Sequence, residues 1–203
     1  MKIKSKFVYL ISPQNINSSF YNILELVFKS NKIYYFQLRL KKVSENKIIK
    51  FSKKIKKICK KYNVQFIVND YPRIAKKVNA DGCHLGQSDI NIKKARKILK
   101  NKIIGITCHN SIKLAEKAIK NGADYIAVGA FNHSKTKRIK YKASLSDLKK
   151  IRKISNKPIV AIGGINQKNY KKLLLNKADF LAISSFIWKK NKLKPEDAIY
   201  KIK

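Results

Sequence analysis

The chain has 203 residues, 44% of them hydrophobic, with 48 Lys and Arg against 11 Asp and Glu and a formal charge of +37. That length supports one substantial core, and a single domain over 1–203 is expected. No run approaches the ~18 consecutive apolar residues of a membrane-spanning helix, and no membrane partner is expected.

From the N-terminus, MKIKSKFVYLISPQN is basic and then briefly apolar. Its apolar run is too short for a secretory core segment and reads as a first strand. A cytoplasmic location is expected. Apolar runs then recur as FVYLIS (7–12), YYFQLRL (34–40), VQFIVN (64–69), GCHLGQ (82–87), IIGITC (103–108), YIAVGAF (125–131), PIVAIGG (158–164) and FLAISSF (180–186). Most gaps hold one helix with apolar residues at a 3.6 period, such as Ile112, Ala115, Ala118 and Ile119, or Leu148, Ile151 and Ile154. Strands alternating with helices indicate a parallel sheet. Eight of them predict an α/β fold of the closed (βα)8 TIM-barrel type. A doubly wound sheet is the alternative, but the early Gly-rich dinucleotide fingerprint is missing after Ile11 and Ser12.

An internal echo supports the repeated unit. NADGCHLG (79–86), NGADYIAVG (121–129) and NKADFLAIS (176–184) each place an Ala-Asp step directly before a strand. Asp81, Asp124 and Asp179 are thereby expected on the amino-terminal rim, as turn and cap residues rather than catalytic ones.

The charge invites a nucleic-acid reading, but lysine recurs in nearly every helical segment (FSKKIKKICKK, IKKARKILK, LKKIRKI, NYKKLLLNK) and only 5 of the 48 basic residues are Arg. Base and phosphate readers favour Arg. Nonspecific adhesion to polyanions at low salt is expected, and no specific nucleic-acid partner. Cys59, Cys83 and Cys108 are too scattered for a disulfide framework or a zinc site and read as small buried fillers.

In a barrel, chemistry collects at the carboxyl ends of the strands. The second run ends with Gln37, Arg39 and Lys41, on one side by the period of two; an Arg and a Lys facing a confined space call for an anion. The third ends with Asn69-Asp70 and the fourth with Gly86, Gln87 and Asp89. Neighbouring strands can bring Asp70 and Asp89 within the span of one hard cation, for which Mg²⁺ is suited; without neutralisation, one of the two carboxylates should have a raised pKa. Asp89 could otherwise cap the following helix. The fifth run ends in Thr107-Cys108-His109-Asn110-Ser111, where Thr107 can donate to a phosphate, Ser111 is a good N-cap and His109 could be either polar lining or an acid–base group. The sixth ends in a loop where Ser134, Thr136 and Lys137 suit phosphate. The seventh ends with Gly163-Gly164 and the eighth with Ser184-Ser185, positions that cradle a phosphate in many barrels. Two anion stations and one divalent ion suggest group transfer between two phosphate-bearing small molecules. No Ser or Cys nucleophile with a paired base is evident, and no clustered His ligands for zinc.

These residues resemble the thiamine-phosphate synthase family over the whole chain, with thiazole tautomerase as its near neighbour. DGCHLGQSD (81–89) and AIGGI (161–165), in this order, carry the resemblance. It implies a (βα)8 barrel that joins 4-amino-2-methyl-5-hydroxymethylpyrimidine diphosphate to a thiazole phosphate, releasing diphosphate with Mg²⁺. It further implies that Gln37, Arg39 and Lys41 bind the pyrimidine diphosphate beside Asn69, that Asp70 and Asp89 hold Mg²⁺, and that Thr107, Ser134, Thr136 and Lys137 bind phosphate. Gly163, Gly164, Ser184 and Ser185 would hold the thiazole phosphate, and Arg39, Lys41 and Lys137 would stabilise the leaving group. A tautomerase-like enzyme and a noncatalytic polyanion-binding barrel are the alternatives. A homo-oligomer is compatible with the sequence, which does not set the oligomeric state. The chain departs from the family pattern at Leu40, where a glutamate is usual, and at Ser12-Pro13, where an aspartate is usual. In GAFNHSKTKR, Ser134 only partly replaces the usual threonine, while Asn132 and His133 are expected to reshape the acceptor pocket.

Overall fold

The computed structural model describes residues 6–132, 141–189 and 193–203. Strands and helices alternate from the start: β1 (Val8–Ile11), α1 (Phe20–Phe28), β2 (Ile33–Leu38), α2 (Glu45–Lys61), β3 (Gln65–Asn69), α3 (Pro72–Lys77), β4 (Gly82–Leu85) and α4 (Ile92–Leu99). The second half follows with β5 (Ile103–His109), α5 (Ile112–Lys120), β6 (Tyr125–Gly129), α6 (Leu145–Ile154), β7 (Ile159–Ile162), α7 (Tyr170–Leu175), β8 (Phe180–Ile183), α8 (Ser185–Trp188) and α9 (Pro195–Tyr200). The strands are parallel and close in sequence order, with β1 pairing β8 through Val8–Leu181 and Leu10–Ile183. That closure excludes the doubly wound alternative.

Strand alternation divides the apolar residues into two cores. Outward-facing Phe36, Leu38, Phe66, Val68, Ile104 and Ile126 meet the helices, whose buried faces include Leu24, Ile55, Ala95, Ala115 and Leu148. Tyr9, Tyr35, Ile67, Tyr125, Ala127, Val160, Phe180 and Ala182 fill the barrel interior. Gly105 makes room for one of them: a Cβ there would lie 1.8 Å from Cζ of Tyr125. The bare strand position lets the Tyr125 ring cross the barrel axis.

The three aspartates of the internal echo do lie at the amino ends of the strands. Asp81, Asp124 and Asp179 accept from the backbone N–H groups of Phe66, Ile104 and Ile159, at 2.7, 2.8 and 2.8 Å. Two of them are also clamped by arginine. Arg96 donates to Asp124 at 2.6 Å and to the carbonyls of Lys100, Lys102 and Gly122. Arg152 pairs with Asp179 and reaches the carbonyls of Ser155, Lys157 and Lys177. Two of the five arginines thus staple the floor of the barrel, away from the chemistry.

Several strand ends are shorter than the apolar runs suggest. Arg39 lies just past β2, and FLAISSF splits into β8 and the first turn of α8, because Ser184 turns the chain. Ile154, expected on the buried face of its helix, is 38% exposed at the last residue of α6, where the helix ends before the turn into β7. The three cysteines are free and buried, as fillers should be, and burial pushes the Cys108 thiol up to about 12. Among the described residues, no helix is long and apolar enough to cross a membrane.

Candidate active site

The carboxyl ends of β1 to β4 are tied together by short polar contacts. Ser12 is buried, and its Oγ accepts from the backbone N–H of Arg39 at 3.0 Å. Gln14 reaches two residues further along the same segment: its amide accepts from Lys41 N–H at 3.2 Å and donates to the Lys41 carbonyl. The backbone carrying Arg39 and Lys41 is therefore held from β1, although it lies outside the strand ladder. Leu40 between them is buried at 4% exposure and serves the outer core, so the usual glutamate has been exchanged for packing.

Lys41 extends across to β3 and pairs with Asp70. Asp70 has a φ of +67° and donates its N–H to the His84 carbonyl at 2.8 Å. That left-handed residue, tolerated by a short polar side chain, ends β3 and turns the chain into α3, which opens on Pro72. Asn69 is buried directly before it.

Asp89 does not cap α4. Asn91 performs that task, its side chain accepting from Lys93 N–H at 2.8 Å. Asp89 instead folds back over β4 and accepts from Gly86 N–H at 2.6 Å. Its carboxyl pKa is raised, first by burial and then by the Asp70 carboxylate within hydrogen-bonding reach, with Gly86 N–H and Lys41 pulling the other way. The structure thus brings Asp70 and Asp89 together at one rim, with Lys41 beside them. Arg39 is near enough to depress the basicity of His84.

Below this rim runs a chain of polar side chains that links two expected site residues, Gln37 and Thr107, through Tyr9, Tyr125 and His84. Gln37 is buried and donates its amide N–H to the Tyr9 hydroxyl at 2.9 Å. Tyr9 and Tyr125 share a hydrogen bond at 2.7 Å. Tyr125 meets His84 Nδ1 at 2.9 Å, and His84 Nε2 meets Thr107 Oγ1 at 2.9 Å. Burial pushes both tyrosines above their ordinary pKa. It also holds His84 down at about 4, although the residue as a whole is only half-buried. Tyr9, His84 and Tyr125 escaped the sequence reading because each sits inside an apolar run. The available signal was their place at alternate, inward-facing positions of β1, β4 and β6.

Thr107 is also overlaid from β4, since Gln87 donates to its carbonyl. His109 ends β5 with a φ of +55° and stacks on Tyr141, ring centroids 4.3 Å apart. Ser111 caps α5 by accepting from Leu114 N–H at 3.3 Å. Ser134, Thr136 and Lys137, with His133, lie outside the described residues. On the far side of the mouth, Gly163 and Gly164 have φ values of +99° and +59°. At Gly163 a side chain is also blocked by space, because its Cβ would fall 2.4 Å from that of Ala130. The Gly163 carbonyl accepts from Asn132 N–H at 3.2 Å, which joins the ends of β6 and β7. Ser184 donates to the Ser12 carbonyl at 3.4 Å, and Ser185 opens α8. Thus the glycine pair and the serine pair flank the same mouth as the basic and acidic residues.

A separate hollow of about 620 Å³, lined by Arg73, Lys76, Lys77, Lys97 and Ile98, lies between α3 and α4 in the outer helical layer. It contains none of the strand-end residues described above.

The chain matches the family model for thiamine monophosphate synthase over residues 8–187. It is 64% identical to thiamine-phosphate synthase of Pelagibacter ubique over 204 aligned residues, covering 100% of this chain and 98% of that protein. It is 44% identical to thiamine-phosphate synthase of Fusobacterium nucleatum, covering 83% and 82%. Its fold superposes on thiamine phosphate pyrophosphorylase from Pyrococcus furiosus with a TM-score of 0.84 at 28% identity, over 98% of this chain and 94% of that one. A barrel closed in this order, carrying DGCHLGQSD and AIGGI at its mouth and matched along its length by these relatives, belongs to the thiamine monophosphate synthase family, whose members are transferases of thiamine biosynthesis.

Proposed function

We propose that this chain is a magnesium-dependent thiamine-phosphate synthase of the cytoplasm. It joins 4-amino-2-methyl-5-hydroxymethylpyrimidine diphosphate to a thiazole phosphate and releases diphosphate. The observation that carries the metal and the leaving group is the meeting of Asp70 and Asp89 at one rim, where burial, and then the neighbouring Asp70 carboxylate, raise the Asp89 pKa. Two adjacent carboxylates at an open rim suit a hard divalent ion, and phosphate oxygens and water complete the coordination of Mg²⁺ in sites with few protein ligands. Among the described residues there is no cluster of three or more His, Cys, Asp or Glu, so a site of one or two protein carboxylates is the relevant kind. When bound, the ion supplies positive charge to the diphosphate oxygens.

The chain's own residues account for the rest. Arg39 and Lys41, with Lys137 from the stretch of sequence that follows β6, take up negative charge as the C–O bond breaks and its electron pair leaves with the diphosphate. The thiazole nitrogen uses its lone pair to form the new C–N bond to the pyrimidine methylene. Gln37 and Asn69 hold the pyrimidine side of the site, and Thr107, Ser134 and Thr136 donate to phosphate. Gly163, Gly164, Ser184 and Ser185 hold the thiazole phosphate against the reacting carbon. No protein base acts in bond formation. Free, buried cysteines accord with a reducing compartment.

The test combines purified protein, the pyrimidine diphosphate, Mg²⁺ and a thiazole phosphate, and follows diphosphate release together with the coupled product. Stoichiometric appearance of both is expected. Absence of both with Mg²⁺ present would end this reading.

A further inference from the structure

The polar chain inside the barrel has a direction. It runs Gln37, Tyr9, Tyr125, His84, Thr107, with successive links of 2.9, 2.7, 2.9 and 2.9 Å. Each tyrosine hydroxyl has one proton, so the direction of one link sets the next. Gln37 Nε2 donates to the Tyr9 oxygen, which sends the Tyr9 proton to Tyr125 and the Tyr125 proton to His84 Nδ1. That nitrogen is then an acceptor, the ring proton is on Nε2, and Nε2–H donates to Thr107 Oγ1. The Thr107 hydroxyl is left with its own proton to give. At the opposite end the Gln37 amide oxygen, turned away from Tyr9, is left to accept.

We infer that this chain is polarised from Gln37 to Thr107, and that Tyr9, Tyr125 and His84 are positioning residues that make Gln37 an acceptor and Thr107 a donor toward the ligand. The inference rests on the functional reading above for the identity of that ligand. Its chemistry follows from the two ends: an N–H group, such as an exocyclic amine, faces Gln37, and an anionic oxygen faces Thr107. An analogue with a carbonyl in place of the amine meets the Gln37 oxygen with another acceptor and is rejected. Reversal of the chain would exchange both roles, because an amide N–H would then face the ligand and Thr107 would donate to His84. Burial of Tyr9, Tyr125 and Gln37, all at 2% exposure or less, denies water a place in the middle links and makes the polarity cooperative.

The polarity is read in the ligand-free protein by nitrogen NMR of its histidines. There are only three, and loss of one signal in H84Q assigns His84. Nδ1 is expected in the unprotonated range and Nε2 in the protonated range; the opposite tautomer overturns the inference. In Q37E the carboxylate can only accept, so the chain must reverse, and the His84 proton is expected to move to Nδ1. A tautomer unchanged in a folded Q37E overturns the coupling. Y125F provides the second variant: with the donor to Nδ1 removed, signal from the Nδ1–H tautomer should grow, and an unaltered spectrum counts against the chain. None of these spectra needs substrate. An inactive enzyme with the expected spectra would therefore sink the functional reading alone.

Discussion

The hydroxyl of Ser12 accepts from the backbone N–H of Arg39 at 3.0 Å and ties the end of β1 to the first residue beyond β2. This buried serine stands where the family pattern has an aspartate, and it supplies the acceptor that Arg39 needs outside the strand ladder. S12A leaves that N–H without its partner, at a cost of about 1–3 kcal/mol. Because the bond positions Arg39, KM for the pyrimidine diphosphate should rise more than kcat falls. Urea denaturation and steady-state kinetics on the same preparation check both halves.

Asp89 and His109 separate the synthase from its tautomerase neighbour. D89A is expected to abolish magnesium-dependent diphosphate release, and chelation of the metal should do the same to the unmodified protein. H109A should stay within about tenfold of the parent, since bond formation draws on the thiazole lone pair; that margin corresponds to about 1.4 kcal/mol. The reverse pattern, measured by diphosphate release, would favour proton shuttling by His109.

The floor of the barrel should affect stability without affecting chemistry. D124A removes the acceptor of Ile104 N–H and the ion partner of Arg96. About 2 kcal/mol of stability should be lost, with kcat/KM at 25 °C unchanged. A loss of activity in the fully folded variant would show that the two rims are coupled.

His84 should make the protein sensitive to acid. Its pKa falls from 6.5 to about 4 in the folded chain, chiefly through burial. The stabilising difference is fully present above pH 6.5 and is lost as pH falls toward 4, because the unfolded chain takes up the proton first. The contribution is on the order of 3 kcal/mol. Stability of the parent should therefore decline more steeply between pH 6.5 and 4 than that of H84Q, a difference measurable by denaturant midpoints at fixed pH.

Periodicity carried the fold a long way. Each of the eight apolar runs overlaps a strand, and the Ala-Asp steps sit where the echo puts them, each Asp bonded to a neighbouring strand. What blurred was the end of each run, since Phe186 is as apolar as a strand residue but follows a turn at Ser184 into α8. Asp89 illustrates the same limit. As a sequence position before a helix it could be a cap, and only the use of Asn91 for that task, with Asp89 bonded to Gly86, settles its direction.

From the order of residues alone came a repeated strand–helix unit, an acidic floor and a mouth holding Gln37, Arg39, Asp70 and Asp89, because each is written in local spacing or in short motifs. Tertiary structure decided what those spacings cannot express. Closure of β8 onto β1 lets Tyr9 of one strand meet Tyr125 of another at 2.7 Å, and Gly105 supplies the space for that ring. A side chain's partner across a barrel depends on register and on which neighbour is small, and both are set only when the sheet closes.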